Sequence, residues 1–329
     1  MEEKQLTEIS VVIPLYNEEL NVHELYTRLS QSMMLISDNY ELIFINDGSS
    51  DKTLHLLKAR AVEDAHVKYI SFSRNFGHQN AIMAGISNAK GKAIVIIDGD
   101  LQDPPEVIPE LYAKYKEGFH VVYAKRKVRE GENYFKKITA KLFYRILKKI
   151  TSTDIPIDTG DFRIISKEVA EHLKGMTEKN KFLRGQIAWL GFKQTFIEYE
   201  RKERFLGETK FTLRKMMRFA IDGITSFSNF PLQIATFLGF LFSIVAFGII
   251  IYALYSKFIL HEVVTGWTSI MVSSMFIGGV QLICIGFIGE YVSRIANEVK
   301  KRPSFIVEES NLEKENNTII KKVMAKVGT

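Results

Sequence analysis

Through the first 125 residues, short apolar runs alternate with stretches whose apolar positions recur at helical spacing. Ile9–Ile13, Leu42–Ile45, Val67–Phe72, Ala93–Ile97 and Val121–Ala124 predict strands. Asn21–Ser37, Thr53–Asp64, Gln79–Asn88 and Glu106–Lys116 predict the helices between them. Strands rich in apolar residues and separated by helices imply a parallel sheet covered on both faces. The predicted class is therefore α/β, a doubly wound and mostly parallel sheet. Ligands of such sheets bind beyond the carboxyl ends of the strands.

The pattern changes near residue 230. Leu232–Ser256 holds 25 residues without a formal charge, and Trp267–Gly289 holds 23. A bilayer core of ~30 Å needs ~20 apolar residues in a helix, so each predicts a span. The short connection at 257–266 makes the two a hairpin. Upstream, Phe211, Leu213, Met216, Met217, Phe219, Ala220, Ile224 and Phe227 alternate with basic residues, which predicts an amphipathic helix on the membrane surface. The expected organisation is an α/β domain over 1–208, a juxtamembrane helix over 209–230, a transmembrane hairpin over 231–290 and a charged tail over 291–329.

Composition adds orientation. The net charge of +6 is too modest to indicate nucleic acid. Arg201, Lys202, Arg204, Lys210, Arg214, Lys215 and Arg218 precede the first span, and Arg294, Lys300, Lys301 and Arg302 follow the second. The connecting loop has Lys257 alone, offset by Glu262. The positive-inside bias predicts a multi-pass protein of the inner (plasma) membrane with the α/β domain and both termini cytoplasmic. The acidic N-terminus, MEEKQLTE, does not read as a signal peptide. A single cysteine, Cys284, permits no intrachain disulfide.

The polar residues collect where the chemistry of such a sheet belongs. Tyr16-Asn17-Glu18 follows the first strand, and Asn46-Asp47-Gly48-Ser49-Ser50-Asp51 the second. Arg74-Asn75-Phe76-Gly77 follows the third and Asp98-Gly99-Asp100 the fourth. Two carboxylates one residue apart at a strand end can face one hard cation. An acidic turn, with Pro104 and Pro105 opening a helix, is the simpler reading of the same letters. Asp47 is placed to accept from a nucleobase amide and Glu18 from a ribose hydroxyl, while Ser49 and Ser50 are expected to cap the next helix. Capping is equally the simpler reading of Gln79 and Asn80. The first strand is not followed by Gly-x-Gly-x-x-Gly, and no Walker A loop occurs, which argues against a dinucleotide or P-loop enzyme.

VVIPLYNEE, INDGSSDKT, SRNFGHQNAIMAG and DGDLQDPPE, in that order, resemble family-2 glycosyltransferases of the GT-A fold. Within them the chain is similar to the polyprenyl-phosphate glycosyltransferases, relatives of dolichol-phosphate mannose synthase. Its hairpin resembles that of the bacterial members that make undecaprenyl-phosphate-linked sugars. The resemblance implies that Pro14, Tyr16, Glu18 and Asp47 bind the nucleoside, and that Asn75, Gly77 and Gln79 border the donor. It implies Mg²⁺ or Mn²⁺ held by Asp98 and Asp100, with Gln102 as a further ligand. IDTGDFRII at 157–165 resembles the family's second acidic segment, with Asp158 and Asp161 both present. RFLGETKF at 204–211 resembles its mobile loop, in which a basic residue closes on the diphosphate, with Lys210 and Arg204 as the candidates. Arg126 and Lys137 would meet the acceptor phosphate.

The implied reaction is inverting transfer of a sugar from a nucleotide-sugar to a polyprenyl phosphate at the bilayer surface. UDP-glucose is the first expectation for the donor, ahead of mannose, N-acetylglucosamine and aminoarabinose donors. Asp161 or Asp158 would act as a base or position the donor sugar. Oligomeric state, including a homo-oligomer, is left open. Two rival readings are a processive polysaccharide synthase and a catalytically idle membrane partner of a flippase or polymerase. Two spans and the absence of a Gln-x-x-Arg-Trp segment weigh against the first. The intact acidic and donor clusters weigh against the second.

Overall fold

A computed structural model of the chain describes residues 7–127, 159–179, 181–200, 230–255, 258–259 and 266–312. The chain divides into two compact units: 1–141, 154–211 and 303–329 in the first, and 142–153 and 212–302 in the second.

The first unit is built on β1 (Ile9–Leu15), β2 (Tyr40–Asn46), β3 (Val67–Phe72), β4 (Ala93–Ile96), β5 (Val121–Arg126), β6 (Thr159–Ser166), β7 (Gln194–Tyr199) and β8 (Val307–Ser310). Its helices are α1 (Val22–Met34), α2 (Thr53–Glu63), α3 (His78–Asn88), α4 (Ile108–Lys116), α5 (Lys167–Gly175) and α6 (Leu183–Trp189). The sheet order is β7-β5-β6-β4-β1-β2-β3-β8. Strands β4, β1, β2 and β3 are parallel neighbours, and β7 is parallel to β5. β6 runs antiparallel between β4 and β5, and β8 antiparallel beside β3. The sheet is thus mixed α/β, with the parallel majority that the apolar runs predict.

Burial explains why the central strands are apolar throughout. Ile9, Val11, Ile13 and Leu15 of β1 face a layer built from Leu25 and Leu29 of α1, Leu57 of α2 and Leu111 of α4. Val12 and the opposite-facing residues of β2 and β4 meet Ala81 and Ile82 of α3, Leu173 of α5 and Ile187 of α6. Each fully buried aliphatic side chain contributes about 1.5–3 kcal/mol. A Ser166 hydroxyl accepts from the Val169 N–H at 3.3 Å and caps α5. The parallel alignment leaves the β1, β2, β3 and β4 loops together at one edge.

The second unit contributes α7 (Phe230–Tyr255) and α8 (Trp267–Val299). Phe242 of α7 and Phe276 of α8 meet edge to face at 5.6 Å. Among the described residues one stretch, Val272–Val299, is long and apolar enough to cross a membrane; Ala235–Ile249 is apolar but shorter. The amphipathic helix expected over 209–230 lies outside the described residues except for Phe230, which opens α7. The tail expected after 290 first extends α8 to Val299 and then supplies β8.

Leu42 is fully buried and Val62 is 88% exposed. Leu42→Ala should lower stability by about 2–5 kcal/mol and Val62→Ala by no more than about 0.5 kcal/mol, measured by chemical denaturation of the purified chain. Equal effects would contradict the two-faced core.

Candidate active site

The fourth strand delivers the acidic loop under tight constraint. A Cβ on Gly99 would lie 2.1 Å from Leu15 Cδ2 and 3.3 Å from the Pro14 carbonyl, so a larger residue would displace the Leu15 side chain and crowd the end of β1. Leu101 is buried with φ of +58°, a left-handed conformation that costs a branched residue energy. This turn sets the course of the backbone from Asp100 to Gln102, and the Asp100 carboxylate accepts from the Gln102 N–H at 3.1 Å. Asn17, after β1, is also left-handed at +53°.

Asp98 is in an acidic neighbourhood. Burial pushes its carboxyl up to about 6, with Asp161, Asp103 and Asp100 adding to the rise and His78 opposing it. Its Oδ1 is buried without a hydrogen bond, and His78 Nε2 stands 3.3 Å away. The same His78 nitrogen is 3.2 Å from Asp161 Oδ2. Burial alone would lower the His78 pKa, but the two carboxylates outweigh it and push it up to about 9.

Asp161, near the start of β6, is buried and heavily bonded. Arg184 Nε of α6 donates to Oδ1 at 2.9 Å, and Arg163 Nη2 lies 3.4 Å from the same oxygen. Gln79 Nε2 donates to Oδ2 at 3.2 Å, while Gln79 Oε1 accepts from the Leu183 N–H at 3.1 Å. Burial would raise the Asp161 pKa, yet Arg184 and His78 hold it well below the usual carboxylate range. Gln79 therefore ties three elements together and does not cap α3. Asn80 Nδ2 donates back to the Phe76 carbonyl at 2.9 Å.

Asp47 organises the neighbouring loop. Its Oδ1 accepts from the Phe76 N–H at 2.7 Å and its Oδ2 from the Gly77 N–H at 3.0 Å. Burial nevertheless raises its pKa against those two backbone donors. Gly48, at φ of +65°, lets the β2 loop pass the Arg74 backbone, where a Cβ would come within 2.3 Å. The serine caps expected for α2 are replaced by another arrangement. Ser49 Oγ accepts from the Asn17 N–H at 2.9 Å, and the Ser50 N–H donates to Asn17 Oδ1 at 2.8 Å. Asp51 takes the first turn instead, accepting from the Thr53 N–H at 3.0 Å. The serines thereby join the first two strand-end loops.

Of the remaining expected residues, Pro14 is in β1 opposite Ile45, and Tyr16 is 40% exposed just past it. Glu18 Oε2 accepts from Asn21 Nδ2 at 2.6 Å. Asn75 is exposed, and its carbonyl accepts from Arg74 Nη1 at 2.9 Å. Arg126 Nε donates to the Tyr199 hydroxyl at 3.3 Å, and its Nη2 lies 3.9 Å from Asp103. Tyr199 itself donates to Asp103. Lys137, Asp158, Arg204 and Lys210 lie outside the described residues. His78 and Arg184 were not singled out from the sequence; neither stands in a metal or catalytic spacing, and only the fold brings them to Asp161.

Among the described residues no three His, Cys, Asp or Glu side chains converge as a ready metal cluster. The donor set still suits a hard divalent cation that keeps waters and takes phosphate oxygens. The acidic crowding around Asp98, offset by His78 at 3.3 Å, is what such an ion would relieve further.

Residues 10–174 match the family described as glycosyl transferase family 2, and the chain belongs to that family. It is 50% identical over 301 residues to the uncharacterized glycosyltransferase YkcC of Bacillus subtilis (strain 168), covering 92% of this chain and 93% of that protein. It is 43% identical over 299 residues to the prophage bactoprenol glucosyl transferase homolog of Escherichia coli (strain K12), covering 91% and 98%. Among solved structures, glucosyl-3-phosphoglycerate synthase from Mycobacterium tuberculosis, in complex with Mn²⁺, UDP and phosphoglyceric acid, aligns with a TM-score of 0.44 and 17% identity, covering 65% of this chain and 75% of that one.

Arg184→Met removes the nearest cation from a buried carboxylate and should cost about 3 kcal/mol at pH 7. Because the folded pKa of Asp161 is depressed, its contribution to stability is full above the unfolded value of ~3.9 and is lost as pH falls through the folded value. The substitution raises that folded pKa, so acid unfolding should begin at higher pH than in the parent chain. Denaturation midpoints across pH 3–7 check this, and superimposable acid limbs would contradict the ion pair.

Proposed function

We propose that this chain transfers a sugar, with UDP-glucose as the first donor to test, to a polyprenyl phosphate at the cytoplasmic face of the plasma membrane. The observation that carries the reading is the acidic edge of the sheet, where Asp98 and Asp161 share His78 at 3.3 and 3.2 Å and Asp100 and Asp103 add to the negative charge around Asp98. Relatives named bactoprenol glucosyl transferases, 41–43% identical over nearly the whole chain, support the lipid acceptor. On this reading α7 and α8 form the two-span hairpin, and the basic residues beside the spans keep the catalytic unit on the cytoplasmic side.

Asp98 and Asp100 would hold Mg²⁺ or Mn²⁺, with Gln102 beside them. Such an ion supplies charge stabilisation to a departing nucleoside diphosphate. Tyr16, Glu18 and Asp47 receive the nucleoside next to Pro14, with Asp47 holding its loop at the same time. Asn75, Gly77 and Gln79 border the donor. An oxygen of the lipid phosphate attacks the anomeric carbon in line, and the bond to the diphosphate breaks with inversion. A phosphate monoester with a second pKa of ~6 is largely ionised near neutral pH, so the nucleophile needs no strong base. Asp161, held ionised by Arg184 and His78, is a weak base; its role is to orient the donor sugar and the His78 ring. Asp158 remains the alternative acid–base residue. Arg126 receives the acceptor phosphate through its N–H groups not turned to Tyr199, alongside Lys137, while Arg204 and Lys210 close on the diphosphate.

The test is a screen of radiolabelled nucleotide-sugars against undecaprenyl phosphate, with butanol extraction of the lipid product. UDP-glucose should give labelled lipid. Asp100→Ala should lower the yield by about 100-fold or more, and EDTA should do so reversibly. Full transfer by a metal-stripped preparation, or no labelled lipid from any nucleotide-sugar, would overturn the reading.

A further inference from the structure

The segment after α8 reaches the same loop that Asp47 holds. β8 pairs antiparallel with β3, setting Ile70 opposite Ser310 and Phe72 opposite Val307. One end of this strap is tied by Asn311, whose Oδ1 accepts from the Tyr69 N–H at 2.7 Å and whose Nδ2 donates to the Val67 carbonyl at 3.0 Å. The other end lies at the carboxyl end of β3. There the Ser73 N–H donates to the Ile306 carbonyl at 3.1 Å, and the Phe305 ring stacks on Phe72 at 4.9 Å and 16°.

From Phe72 the contacts continue into the loop. Phe72 meets Phe76 edge to face at 5.8 Å and 88°. The Arg74 guanidinium covers the Phe76 ring at 4.0 Å. The Phe76 and Gly77 N–H groups then end on the Asp47 carboxylate. A line of three aromatic rings thus runs from the strap to the backbone that carries Asn75 and Gly77 and opens α3 at His78 and Gln79. Arg74 and Asn75 are exposed. What shapes the loop from within the protein includes the Asp47 carboxylate, the Asn80 amide on the Phe76 carbonyl, the aromatic line and the Ser73 bond to the strap.

We propose that Phe305 is a positioning residue for the donor site, ordering loop 73–77 through Phe72 and Phe76. The proposal rests on the reading that Asn75, Gly77 and Gln79 border the donor. Phe305 touches neither donor nor acceptor in this account; it acts through the loop. Asn311 provides the contrast, because it secures the same strap at the end of β3 away from the loop.

The experiment uses the full chain in detergent or membranes, with two readouts. The first is amide hydrogen exchange of the peptide spanning 73–77. The second is the separate KM values for nucleotide-sugar and for undecaprenyl phosphate. Phe305→Ala should speed exchange across 73–77 and raise the donor KM by up to about tenfold, with the acceptor KM and kcat little changed. Phe305→Tyr keeps the stack and should restore both readouts. Asn311→Ala should loosen the strap without raising the donor KM. Unaltered exchange at 73–77 in Phe305→Ala would overturn the ordering role. Faster exchange with an unchanged donor KM would overturn its link to the donor, as would an equal rise in donor KM for Asn311→Ala. Should the parent chain use no nucleotide-sugar at all, the functional reading fails, and the exchange measurement still decides whether Phe305 orders the loop.

Discussion

Like charges gathered at one edge of a sheet must be compensated, and Asp161 is where this fold does most of it. Its buried carboxylate draws Arg184 from α6, Arg163 from its own strand, and His78 and Gln79 from the start of α3. Losing one partner would leave the buried charge less fully compensated, which costs more than losing a surface pair. Asp161 thereby fixes α3 and α6 against β6. It also sets His78 between two carboxylates, 3.3 Å from Asp98. The geometry of the acidic loop is a consequence of this buried network as much as of the loop's own sequence.

The strand-end loops support one another in the same way. Asn17 and Ser50 join the first loop to the second, and Asp47 joins the second to the third. Gly99 seats the fourth against the end of β1. Each loop is anchored on a buried parallel strand and tied to a neighbour where the polar groups converge. The left-handed Leu101 and Asn17 are maintained by that surrounding order.

The parts of this architecture legible in the sequence are those with strong periodicity. β1 to β5 and α1 to α4 carry apolar residues at every position the core needs, so their patterns announce them. β7 is a six-residue edge strand with Ile197 and Tyr199 buried but Phe196 and Glu198 exposed, too short for its alternation to stand out. β8, VEES, has almost no apolar content; it exists because β3 offers an unpaired edge and Asn311 bonds to it. In the site, the paired carboxylates of DGD stand out locally, whereas the sequence leaves Asp158 and Asp161 as alternatives that only the family resemblance brings forward. His78 and Arg184 could not be read locally, since they lie 83 and 23 residues from Asp161 and meet it only through tertiary packing. The serine caps expected for α2 do not form for a related reason: Ser49 and Ser50 bond Asn17, a residue more than 30 positions away that only the fold brings to them.

The proposed function turns on whether nucleotide binding at the acidic edge depends on a divalent cation. Calorimetric titration of UDP into the purified chain tests this most directly, with Mn²⁺ present or removed by a chelator. Removing Mn²⁺ should weaken UDP binding by at least about tenfold, roughly 1.4 kcal/mol. Asp98→Asn should abolish that cation-dependent gain while leaving the chain folded. UDP binding of equal strength with and without Mn²⁺, or a full gain retained in Asp98→Asn, would contradict the account.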